Sequence, residues 1–175
     1  MNRSLAVLAA ATALAGGAGC SAVHKAESKS GCIVAAHAWY KGNGSQPQPG
    51  GQVRWAAVGH ALEAAGRADT SAAQARFSAA SVAAVRARTA ALSSAVADAG
   101  ADLPPACVTG VRARLAAALA RFRAVGTDQN RVIKAGQAGD GRAALAAVKQ
   151  ADRDAVAGGR SFKAALRALR AYLVK

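Results

Sequence analysis

Three histidines, three cysteines and nine carboxylates are all that this 175-residue chain offers for metal or acid–base chemistry. His24, His37 and His60 fall in the N-terminal third. A helical di-iron site needs several inward carboxylates and two Glu-x-x-His pairs. The glutamates are Glu27 and Glu63 alone, and His60-Ala61-Leu62-Glu63 runs in the reverse order and occurs once. His60 also falls off the stripe made by Trp55, Val58 and Leu62, which is the placement of an exposed histidine. No cysteine has the Cys-x-x-Cys spacing of a zinc or covalent haem site. Ser81, Ser93 and Ser94 lie in helical pattern with no Gly-x-Ser-x-Gly elbow, and no Gly-x-x-x-x-Gly-Lys phosphate loop occurs. The expectation is a non-enzymatic protein without catalytic residues, metal or cofactor.

The cysteines carry more information. Cys20 ends a segment that starts with Arg3, continues through the uncharged apolar run Leu5–Leu14, and closes on Ala15, Gly16, Gly17, Ala18 and Gly19. That order is the plan of a secretory signal peptide. Its apolar run falls short of the roughly 20 residues that span a bilayer. With Gly17-Ala18-Gly19-Cys20, the segment resembles the signal of bacterial lipoproteins, in which the cysteine receives a diacylglycerol anchor. Gly17 stands where that family usually has Leu. The resemblance implies lipidation of Cys20 and a foothold on the outer face of the cell membrane. Ordinary cleavage, for instance after Ala22, is the alternative and would leave the protein secreted or periplasmic. Residues 1–19 are read as the signal and kept out of the fold.

Export places Cys32 and Cys107 in an oxidising compartment, where an even pair reads as a disulfide. Closing a loop of that length would restrict the unfolded chain by about 4.5 kcal/mol in the chain-entropy treatment. Two separate buried thiols are the alternative.

Charge is the next signal. Lys and Arg outnumber Asp and Glu by 23 to 9, a net charge of +14. Such a field attracts anionic lipid, acidic envelope polymers or nucleic acid. The cations are dispersed, which also fits plain solvation of helix backs. Arg153, Arg160 and Arg167 recur every seven residues, and Lys163 and Arg170 join them on one flank of the last helix. A basic amphipathic helix of this kind can lie along an anionic surface. Nucleic-acid readers interleave basic residues with aromatics, but Trp39, Tyr40 and Trp55 lie elsewhere, so nucleic acid is not favoured. Asp152 falls within the apolar phase of the same helix. It is read as a rim carboxylate paired with arginine or exposed by a phase slip, and alternatively as a polar group inside a ligand pocket.

The elements that would position these residues are helices. Residues 20–30 read as a tether, and 31–40 as a short apolar element whose length does not decide between helical turn and strand. Residues 41–52, rich in Gly and Pro, must be loop. A first helix is expected from Val53 to Ala65, ended by Gly66. A second starts at Thr70 or Ser71 with the capping box Ser71-Ala72-Ala73-Gln74 and carries Val82, Val85, Leu92 and Val96. A third starts near Pro105 and buries Val108, Val111, Leu115, Phe122, Val125 and Val132. The fourth is capped by Asp140 and presents Leu145, Val148, Phe162, Leu166, Leu169 and Leu173. Gly158-Gly159 would bend this helix or receive a neighbour against bare backbone. The expected class is all-α, an antiparallel four-helix bundle over 53–175, preceded by a signal peptide and a flexible segment over 20–52.

The functional expectation is an exported, lipid-anchored, non-enzymatic protein of the bacterial cell envelope that binds a partner or an anionic surface. The alternative is a carrier that holds a small ligand within the bundle, near Asp152 and Gly158-Gly159.

Overall fold

The computed structural model describes residues 29–42 and 50–174. The signal segment, Cys20, His24 and Glu27 lie outside the described residues. Those described are all-α: α1 (Lys29–Lys41), α2 (Gly51–Gln74), α3 (Ala79–Ala101), α4 (Thr109–Gln137) and α5 (Gly141–Leu173). The undecided apolar element at 31–40 is therefore helical. The helix takes in Lys29 and Ser30, which had been read as tether.

Each long helix from α2 to α5 packs on the next in the chain, most extensively α4 on α5, while α2 and α5 adjoin more thinly. The α2–α3 and α4–α5 turns share one end, where a Cβ on Gly141 would lie 3.8 Å from the Phe77 ring. The α3–α4 connection occupies the other end, beside α1.

Gly66 does not end a helix. The buried row Trp55, Val58, Ala65, Asp69 and Ala72 runs through it with alternating three- and four-residue steps, interrupted only by half-buried Leu62. The Thr70 hydroxyl, expected near a new start, instead donates to the Gly66 carbonyl at 3.0 Å within one helix. The real break falls at Arg76 and Phe77, whose φ values of 49° and 56° lie in the left-handed region. That conformation costs a non-glycine residue roughly 1–2 kcal/mol. Burial of the Phe77 ring among Val82, Val132 and Ile133 offsets the cost. Ser78 then caps α3, accepting from the Ser81 amide.

The α5 cap is as read: the Asp140 carboxylate accepts from the Ala143 amide at 2.9 Å. The buried face beyond it differs. Ala144, Ala147, Ala151, Asp154 and Gly158 are buried, whereas Leu145 is 43% exposed. Small side chains let α4 and α5 approach closely, and leucine has no room on that seam. At Gly158 a Cβ would lie 2.4 Å from Phe122 Cε1, so this ring packs on bare backbone. Of the two possibilities raised for Gly158-Gly159, the seated neighbour is the one observed.

Candidate functional site

An aromatic-walled hollow opens where α2 and α5 meet beneath α1. It is a cavity of about 310 Å³. Trp39 and Tyr40 of α1 form one wall, and Trp55 of α2 and Phe162 of α5 form another. The Trp55 and Phe162 rings stack with centroids 4.8 Å apart and planes inclined by 12°. Val111 and Leu115 of α4 close the base, and Leu166 and Leu169 continue the α5 side. Four of the seven aromatic side chains of the sequence thus line one space.

The cavity exists because wide rings face small residues. Interaxial distance follows the side chains at the contact. The Trp55–Phe162 stack holds α2 away from α5, and Ala56, Gly59 and Ala165 are too small to fill the gap beside it. A Cβ on Gly59 would have no atom within 4 Å. On Gly51, by contrast, it would meet the Trp39 ring at 2.6 Å, so α1 lies directly on the start of α2.

Most of the lining is apolar, with Gln52 among the polar groups at its edge. Trp55 is 4% exposed, and its indole N–H is buried without a hydrogen-bond partner. A buried donor left unpaired costs about 1–3 kcal/mol.

The α1 wall is fastened at several points. Cys32 and Cys107 are joined in a disulfide with Cα atoms 6.1 Å apart and 75 positions apart in sequence. The Trp39 indole donates to the Asp102 carbonyl at 3.1 Å. Buried Arg54 of α2 forms an ion pair with the Asp102 carboxylate, and Arg112 donates to the Pro104 carbonyl at 3.0 Å. The segment between α3 and α4 is thereby tied to α1 and α2 together.

The basic flank of α5 borders the cavity. Arg160, Lys163, Arg167 and Arg170 surround a shallow groove with Leu166, and Leu166 also lines the cavity. Arg153 stands apart from this group, its guanidinium donating to Gln150 Oε1 at 2.6 and 3.0 Å. Asp152 is exposed and lines neither space. The predicted cavity near Asp152 and Gly158-Gly159 is replaced by the one at Phe162–Leu169, because Phe122 fills the space at Gly158.

Three other aspartates are the buried ones: Asp69, Asp128 and Asp154, of which Asp128 accepts from Arg131 at 2.6 Å. Asp154 accepts from Arg121 at 2.9 Å and from Gln150 at 2.8 Å. The Gln150 hydrogen bond, followed by Arg121, holds its carboxyl below the usual range against the opposing effect of burial. Asp69 accepts only from Gln129, at 3.2 Å, and its second oxygen is buried unpaired. Burial pushes its pKa up to about 6; Gln129 opposes the shift and the Asp152 charge adds to it. Gln129 in turn meets the Thr89 hydroxyl at 3.2 Å, so α2, α4 and α3 share one polar chain.

Among the described residues no group of three or more His, Cys, Asp or Glu side chains is placed to hold a metal ion. Among the same residues no helix is long and apolar enough to cross a membrane.

Sequence reasoning named the cystine pair and the α5 cations but not the cavity. A signal was present: Trp39-Tyr40 and Trp55 cluster in the third of the chain that also holds the small residues Gly51, Ala56 and Gly59. Their convergence on Phe162 is a tertiary fact.

The described residues define a class: an all-helical fold with a Cys32–Cys107 disulfide and an aromatic-walled cavity between α2 and α5. No protein family, curated protein or solved structure matches the chain.

Proposed function

We propose that this chain is an exported, non-enzymatic binding protein that holds a small, mainly apolar molecule in the cavity between α1, α2 and α5. On this reading α2–α5 form an antiparallel four-helix bundle, and a lipid on Cys20 keeps it on the outer face of the bacterial cell membrane. The carrying observation is the cavity: about 310 Å³, walled by Trp39, Tyr40, Trp55 and Phe162. This volume lies at the low end of the roughly 300–1,000 Å³ range of small-molecule sites.

Two features support the reading. At Gly158 the helices close up under Phe122, while the seam beside Gly59 stays open. A cavity left unfilled in a core costs stability in proportion to its volume, and an apolar guest would recover that loss. The Cys32–Cys107 bridge accords with an oxidising compartment.

The test is titration of the purified full chain with a neutral, environment-sensitive apolar fluorophore, beside native mass spectrometry for a copurified guest. Saturable binding is expected, and Gly59→Leu, which projects a side chain into open space, should abolish it while the thermal midpoint holds or rises. Equal binding by wild type and Gly59→Leu would overturn the assignment. Intact mass before and after reduction checks the anchor: a diacylated Cys20 start supports it, and an unmodified Met1 start removes it.

A further inference from the structure

We propose that the guest of this cavity is a single-chain anionic amphiphile, its apolar part inside and its carboxylate or phosphate head held by Lys163, Arg167 and Arg170 at the α5 rim. This rests on the cavity reading above and assigns the chemistry of its ligand.

The cations lie where a head would emerge. Leu166 belongs to both the cavity wall and the basic groove, so the two spaces share an edge. With 3.6 residues per turn, Phe162 and Leu169 fall on one side of Leu166 along α5, and Lys163 and Arg170 fall on the other.

These cations are also uncommitted. The ion pairs among the described residues use Arg54, Arg67, Arg121 and Arg131. Arg160, Lys163, Arg167 and Arg170 hold no acidic partner there, and no Asp or Glu occurs from residue 160 to 175. A guanidinium or ammonium group already paired offers little to a ligand, whereas an unpaired row beside an apolar opening matches a molecule with one charged end.

The cavity also limits the apolar part. At about 310 Å³ it suits one short chain or a fused ring and not a two-chain lipid.

The experiment compares dodecanoate with dodecanol, both as monomers below their aggregation limits, on the full chain. The expected result is about tenfold or greater preference for the carboxylate, the scale of charged hydrogen bonds. The triple variant Lys163→Glu, Arg167→Glu, Arg170→Glu should erase that preference and leave dodecanol affinity unchanged. Added salt should weaken dodecanoate alone. These residues are exposed, so the variant should fold normally, checked by its helical circular dichroism.

Equal affinity for both probes overturns the head-group assignment and leaves the cavity reading standing. Binding of neither probe, with Gly59→Leu also without effect on the neutral fluorophore, overturns the cavity reading itself. Capture on anionic vesicles that depends on the α5 cations but is indifferent to Gly59→Leu and to competing dodecanoate would make α5 a membrane-surface helix and overturn the proposal. The same capture lost on adding dodecanoate supports it, since the head then competes for the same cations.

Discussion

At the turn end, one ring, Phe77, sits among Ala72, Val82, Val85, Val132 and Ile133, and the hollow of about 380 Å³ beside Val82 and Gly136 is lined by Arg86 and Gln137 and by no aromatic ring. At the disulfide end, four rings crowd one seam and still leave a cavity of about 310 Å³. Both ends draw on the same alanine- and valine-rich helices. The difference is the pairing of sizes. Small residues on the α4–α5 seam let the two backbones approach until Phe122 packs on the bare backbone of Gly158. A stacked Trp–Phe pair beside glycine and alanine holds the backbones apart, and its neighbours cannot reach across. The aromatic walls at the disulfide end mark the candidate site.

Removing the disulfide should move the aromatic-walled end most. Cys32→Ser with Cys107→Ser is expected to cost about 2–4 kcal/mol, from the freedom regained by the unfolded chain. Denaturant unfolding measures it. Because α1 supplies Trp39 and Tyr40, the fluorophore should bind more weakly as well, and unchanged binding would show that α1 forms no part of the site.

A matched pair of substitutions comes next. Gly158→Ala drives a methyl into the Phe122 ring at the closed α4–α5 seam and should destabilise by about 1–3 kcal/mol, the usual cost of overpacking. The smallest effect, with the opposite sign, is Gly59→Ala. It enters open space and should stabilise α2 by up to about 1 kcal/mol through helix propensity. Two substitutions of one type with opposite signs in thermal melts would locate the loose seam; the same sign in both would refute the contrast.

Between these in size lies Asp69→Asn. The Asp69 pKa stands at about 6, above its ordinary 3.8. The folded state therefore holds the proton more tightly than the unfolded chain, and Asp69 lowers stability as pH rises from about 4 to 6. The neutral amide should recover on the order of 2 kcal/mol at pH 7 and flatten the stability profile through that window. Asp154 works in the reverse sense. Its pKa is lowered, so its contribution is present above the ordinary carboxylate value and is lost as pH falls through its folded value. Asp154→Asn should therefore lower stability at neutral pH and remove this acid limb.

Much of the helical plan was legible in the residues. The α4 stripe from Val108 to Val132 and the Asp140 cap were read correctly because Leu, Phe and Val mark a buried face without ambiguity. The α2 boundary was not. Gly66 looked like a stop, yet the helix runs through it to the buried Asp69, which is admitted by its bond to Gln129 on α4. On α5, Val148 and Leu169 are buried as expected, but at the start of the helix Ala144 takes the buried position in place of Leu145 because α4 lies too close for leucine.

The cystine partners and the cations of the site could be named from their types alone. Cysteine and arginine declare their chemistry wherever they stand. Alanine does not: it forms helix equally well inside and outside, so an alanine-rich helix carries little record of which face it buries. Tertiary packing decided that phase. It also decided that Trp55 should meet Phe162 across a gap that glycine and alanine leave open. The cavity follows from that meeting, since the size of an interhelical space is set by both of its walls and neither segment specifies it alone.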